Sequence, residues 1–190
     1  RERIVMAAER FILCQAPDSA DWLGTGQFTL SVLSGYSALA LLLKIKPAVI
    51  HCLTSDQIGK WCPIILAFPF LNNDSDRSVK EALLKLVYRK SPLAVLDTAK
   101  VLIEKEIEKG ERVSTATELN AVWDEQIAIL LLQYAKRSDL KPKSLSSLLS
   151  ILFSHDNVEA HSFAFSLVPT PLPVGDSERA RAVATAQTLM

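Results

Sequence analysis

The 190-residue sequence predicts an all-α protein, and three observations carry the prediction. Apolar residues recur at i, i+3, i+4 and i+7 through most of the chain, the spacing that lines one face of a helix. No run alternates apolar and polar residues with period two, and no Asn-Gly or Asp-Gly pair marks a hairpin turn. Three times a Leu-rich stretch reaches a basic end and then a proline: Leu41 to Pro47, Leu84 to Pro92, and Leu130 to Arg137 leading to Lys141-Pro142. Prolines 45 and then 50 residues apart fit one helix pair per repeat, which predicts an α-solenoid of HEAT- or TPR-like antiparallel helix pairs. The alternative is an irregular closed helical bundle.

The elements follow in order. Arg1 to Gln15 reads as a helix with Ile4, Ala8 and Phe11 or Ile12 inward. Phe28 to Leu43 is the longest apolar stretch. As a helix rising 1.5 Å per residue it falls short of a bilayer core of about 30 Å, so it reads as a core helix covered on most sides. Thr54-Ser55-Asp56-Gln57 has capping-box spacing and starts a helix that Pro63 must kink or split. Asp74 to Lys90 places Val79, Ala82, Leu83, Leu86 and Val87 on one stripe and Lys80, Glu81, Lys85 and Arg89 opposite. Ser91-Pro92 opens a helix with Leu96, Ala99, Ile103 and Ile107 inward, and Gly110 stops it. Glu118 to Lys136 reads as one helix, with Leu119, Val122, Trp123, Ile127, Leu130, Leu131 and Tyr134 on its apolar face. Lys141-Pro142 opens another, with Leu145, Leu148, Leu149, Leu152 and Phe153 inward. Asp156 is placed to cap a helix through Ala160, Ala164 and Leu167, and a last helix starts near Asp176. Residues 1–190 read as a single helical-repeat segment, with a proline-rich connector over residues 169–175. Helical pattern already under way at Arg1 and still running at Met190 reads as a piece of a longer protein.

Charge narrows the function classes. The chain has 21 Lys+Arg against 21 Asp+Glu, and zero net charge disfavours a generic nucleic-acid binder, whose affinity rests on neutralising phosphates. Only four charged residues, Lys44, Lys46, Asp56 and Lys60, fall between Phe28 and Asn73, against seventeen between Asp74 and Arg112. The first stretch therefore reads as interior, and the second as presenting a wide solvated face where a partner could dock. The opening residues lack the apolar core of a secretory signal. An odd number of cysteines, Cys14, Cys52 and Cys62, without a C-x-x-C spacing, points to buried thiols in a reducing, cytoplasmic setting.

Few residues suggest chemistry. Trp22-Leu23-Gly24-Thr25-Gly26 lacks the third glycine and preceding strand of a phosphate cradle and reads as a turn. His51, Cys52 and Cys62 could supply three zinc ligands, but adjacent residues on a helix diverge and no fourth ligand is suggested. His155 and Glu159 share a helical face; with His161 they would serve a small helical enzyme or accessory domain, the alternative to a recognition module. Lys136, Arg137, Lys141 and Lys143 would attract a phosphate, although cations are expected at a helix C-terminus on dipole grounds. Trp22, Trp61 and Trp123, and the rings of Phe68-Pro69-Phe70, are core wedges or binding anchors. No catalytic residue, cofactor, metal ligand or small-molecule substrate is assigned.

The order Trp22-x-Gly24-Thr25-Gly26, Ser34-Gly35-Tyr36-x-Ala38-Leu39-x-Leu41-Leu42, Trp61-Cys62-Pro63-Ile64-Ile65-Leu66-Ala67-Phe68-Pro69 and Trp123-Asp124 resembles the helical-repeat region of large bacterial STAND NTPases of the NACHT type. The likeness covers roughly residues 16–167 and is a pattern of small, aromatic and proline positions. It implies a sensor or scaffold segment recognising a protein or another domain of its own chain, in proteins often devoted to antiviral defence. The family's nucleotide-binding motifs are absent here, so the resemblance carries over no active-site residue and no ATP site.

Overall fold

The computed structural model describes residues 2–15, 20–68, 74–169 and 175–189. Pro69-Phe70 and most of the proline-rich connector, residues 170–174, lie outside them. The described residues are predominantly helical and include no strand, and none of their helices is long and apolar enough to cross a membrane. Contacts divide the chain into two compact units, Arg1–Leu102 and Ile103–Met190.

The first unit contains α1 (Glu2–Cys14), α2 (Leu30–Ile45), α3 (Pro47–Cys52), α4 (Ser55–Lys60), α5 (Cys62–Ala67), α6 (Asp74–Lys90) and the start of α7 (Pro92–Lys109). Helix α2 is its hub and packs on α1, α3, α5 and α6. Thr29 caps it, accepting from Val32 N–H at 3.4 Å, and Val32, Gly35, Tyr36, Leu39 and Leu42 form its inner face. Gly35 is needed there for space: a Cβ on it would lie 2.6 Å from Cζ3 of the Trp61 ring. That ring also meets Phe11 of α1 at 5.8 Å. A second aromatic set joins the loop before α2 to the end of α5, with Tyr36 stacked on Phe68 at 3.8 Å, and Phe28 between Phe68 and Trp22.

The capping box at Thr54 forms as the spacing predicts: Gln57 N–H donates to Thr54 Oγ1 at 3.2 Å, and Thr54 N–H donates to Gln57 Oε1 at 2.9 Å. Pro63 splits the helix into α4 and α5, with Trp61 at the break. Helix α2, expected to be covered on most sides, buries one face only; Leu30, Leu33, Ser34 and Ser37 remain exposed. Helix α6 is turned about its axis from the predicted stripe. Ala82 is exposed, while Leu84 and Lys80 are buried, Lys80 to 2% exposure. Helix α5, packed on α6, accounts for this: the carbonyl of Phe68, the residue that closes α5, accepts from Lys80 Nζ at 2.5 Å. At the other end of α6, Lys90 Nζ donates to the carbonyls of His51 and Leu53, which close α3.

The second unit contains the rest of α7, α8 (Ser114–Leu119), a 3-10 turn (Asn120–Val122), α9 (Glu125–Ala135), α10 (Pro142–Ser154), α11 (Val158–Leu167) and α12 (Asp176–Leu189). Its hub is α10, which packs on α8, α9, α11 and α12 and fully buries Leu145, Leu148, Leu149 and Leu152. Helix α7 ends at Gly110, φ +69°, where Gly110 N–H donates to Ile107 O and Glu111 N–H to Glu106 O, a Schellman pair. The single helix expected from Glu118 to Lys136 is broken. Asp124 leaves the helical path and accepts from Ile127 N–H at 3.0 Å, so it caps α9 instead of continuing α8. The cap of α11 moves by one residue for a related reason. Asp156 takes a left-handed φ of +52° to close α10, and Asn157 then accepts from Ala160 N–H at 2.8 Å.

Pro47, Pro92 and Pro142 each stand first in a helix, where a missing N–H costs no hydrogen bond. Pro47 and Pro92 follow the preceding helix after a single residue, whereas residues 136–141 separate α9 from Pro142. The helices it opens have 6, 18 and 13 residues.

Candidate functional site

The sequence candidates fall into separate environments. In the first unit His51 and Cys52 sit at the exposed end of α3, whereas Cys62 is fully buried. Cys62 Sγ donates to Ala94 O at 3.4 Å, and burial pushes its pKa up to about 12 against a smaller opposing effect of its Thr98 hydrogen bond. The expectation of three buried thiols is therefore corrected: Cys14 and Cys52 are exposed, because each is the last residue of its helix. Among the described residues no group of three or more His, Cys, Asp or Glu is placed to hold a metal ion. Trp22 and Trp61 are core residues.

In the second unit His155 stacks on Trp123, centroids 3.9 Å apart, and its Nε2 pairs with Asn120 Oδ1. His161 stacks on Phe153 at 4.4 Å, and the exposed Glu159 faces Lys136 at 3.8 Å. Each of the three thus has its own local partner.

The basic cluster is also redistributed. Arg137 donates to Glu104 at 2.6 Å and, through two nitrogens, to Asp139 at 2.9 and 2.7 Å. The Asp139 and Glu104 hydrogen bonds raise the Arg137 pKa, and Arg137 in turn holds the Asp139 carboxyl below its ordinary value. Tyr134 beside this network is pushed up to about 12, by burial first and by the Glu104 charge second. Arg181 of α12 donates to the carbonyls of Ser138 and Arg137 and fastens the same turn. Lys136 faces Glu159, and the Lys141 stem lies against Gly110. Nearby, burial raises the Glu106 carboxyl, opposed by donation from Ser114 Oγ and Thr115 N–H.

Lys136 borders one cleft, of about 630 Å³, together with Arg181 and the acidic Glu178, and Lys143 opens onto another, of about 480 Å³, which it shares with Arg112, Ser146, Ser147, Ser150 and Gln187. Sequence reading missed Arg112 and Gln187, which are remote from Lys143 along the chain. The available signal was the spacing of Lys143, Ser146, Ser147 and Ser150, which puts the lysine and three hydroxyls on one side of α10.

Large apolar side chains also stand open, among them Leu93, Val158 and Phe165, and several are on α1 and α2. Ile4 lies at helical spacing from Ala8 and Ile12, which are buried, yet it is 64% exposed. Met6 is 62% and Leu30 82% exposed, with Leu13, Leu33 and Ile45 also open. An apolar stripe thus runs past its cover on α1, and the outer face of α2 joins Leu30 and Leu33 to the small side chains of Ser34 and Ser37.

No protein-family model, no curated protein and no solved structure matches this chain.

Proposed function

We propose that the chain is a non-catalytic recognition segment that binds a protein partner or another domain of its own polypeptide. The observation that carries this reading is the set of large apolar side chains left open on α1 and α2: Ile4, Met6, Leu13, Leu30, Leu33 and Ile45. Exposed apolar groups grouped on helices are what a partner's side chains cover, and the small Ser34 and Ser37 on the same face give a facing helix room for close approach. The finer reading is a HEAT- or TPR-like repeat segment. The three basic-Pro junctions support it, and the resemblance to the helical-repeat regions of bacterial STAND NTPases of the NACHT type supplies the sensor or scaffold role, in a cytoplasmic protein of antiviral defence.

The test compares capture of partners by the native protein with capture by the double variant Leu30→Glu, Leu33→Glu. Both side chains are exposed, so the far-ultraviolet circular dichroism stays that of the unaltered chain. Partner capture falls at least tenfold. Equal capture by the variant would remove the apolar face from the account.

A further inference from the structure

We propose a second binding function in the Ile103–Met190 unit: the cleft between Arg112, the polar side of α10 and Gln187 of α12 takes a small phosphate-bearing molecule. Three cations near the same turn already have partners: Lys136 faces Glu159, Arg137 is bound to Glu104 and Asp139, and Arg181 to two backbone carbonyls. Arg112 and Lys143 are exposed and have no such partner among the described residues, and both line the same cleft. None of the residues lining it is acidic, although the chain has 21 Asp+Glu. Two uncompensated positive charges at a concave surface focus the field onto the space they enclose. A volume of about 480 Å³ is that of a small-molecule site, and the compact cleft with a neutral chain suits one phosphate group rather than a polyanion.

The hydroxyls divide by the bonds they already make. Ser147 Oγ accepts from Val113 N–H at 2.9 Å and donates to Ser144 O at 2.8 Å, so its one proton is committed and it has none to give a phosphate oxygen. Ser146 Oγ pairs with Thr188 Oγ1 at 2.8 Å, which ties α10 to α12. Ser150 Oγ donates at 2.8 Å to Ser146 O, one turn back on its own helix. That carbonyl keeps its helical N–H partner when the hydroxyl turns away, so Ser150 is the hydroxyl free to swing to a ligand oxygen. Arg112 then supplies the planar fork that matches two phosphate oxygens, Lys143 a point charge, and the Gln187 amide a neutral donor for the attached group.

Titration of the isotopically labelled native protein with inorganic phosphate and with glycerol phosphate, followed by amide NMR shifts, tests the proposal. Saturable shifts are expected for both ligands, confined to residues near 112, 143–150 and 184–188, with the ester at least as tight. Arg112→Gln and Lys143→Gln each weaken binding by about tenfold, the scale of one hydrogen bond to a charged group, and the double variant abolishes it. Lys136→Gln leaves it unchanged. Shifts that never saturate, equal binding by the double variant, or an equal loss on Lys136→Gln would each overturn the site. Tighter binding of a single-stranded oligonucleotide than of the ester would do the same, by assigning these cations to a nucleic acid.

Discussion

Gly35→Ala isolates the contact around which the first unit is built. Two effects of opposite sign meet at this position. Replacing a helical glycine by alanine favours the helix by about 0.5–1 kcal/mol. The added Cβ, however, would stand 2.6 Å from Trp61 Cζ3 and 3.3 Å from Trp61 Cε3 and Ile64 Cδ1. The ring has little room to yield, since Trp61 is 2% exposed and Phe11 lies at 5.8 Å from it. Overpacking of this kind costs about 1–3 kcal/mol. The steric effect prevails, leaving a net loss of about 1–2 kcal/mol, or roughly 2–8 °C in Tm. Urea and thermal unfolding followed by tryptophan fluorescence and circular dichroism measure it. The Trp61→Leu background supplies the decisive comparison: with the ring gone the clash vanishes, and Gly35→Ala there becomes neutral or stabilising. A Gly35→Ala variant that is stabilised in the unaltered background would show that Trp61 does not occupy this space.

Three further outcomes follow from the geometry. At pH 8 an alkylating reagent modifies Cys14 and Cys52 quickly, and Cys62 only when the unit unfolds; the folded Cys62 pKa of about 12 lies above the ordinary thiol value of 9.0, so stability present below pH 9 is lost as pH rises from 9 towards 12, and Cys62→Ala flattens that slope. Arg137→Gln returns the Asp139 carboxyl to its ordinary range in an NMR titration. The stabilisation from this depressed carboxyl is present above its unfolded pKa and lost as pH falls through its folded one, so the variant's acid limb of stability is shallower. Gly110→Ala lowers the stability of the second unit by about 1–2 kcal/mol, chiefly from the left-handed φ of +69°, because the Lys141 stem in its way is flexible.

Much of the fold is legible in the sequence because its signals are local. A proline that cannot donate, a Thr-x-x-Gln pair that satisfies orphan amides and a glycine that reaches positive φ act within one turn of helix, and Pro92, Thr54 and Gly110 behave as their surroundings dictate. What was not legible depends on partners distant in sequence. Lys80 is buried because Phe68 leaves a carbonyl to be capped, and its long apolar stem tolerates the interior. Asp124 and Asp156 could each continue or end a helix, and local preference alone does not decide between these. The site is split in the same way. The basic run at residues 136–143 is conspicuous, yet acids from α7 and α11 neutralise Arg137 and Lys136, and Lys143 finds its companion in Arg112.

The recognition account is tested most directly by photocrosslinking in the native cells, with a photoreactive residue at position 33 on the open face of α2 and, as reference, at the exposed position 85 on α6. The account predicts a discrete protein crosslink from position 33 that Leu30→Glu removes, and none from position 85. No crosslink from position 33, or the same pattern from both positions, would contradict it.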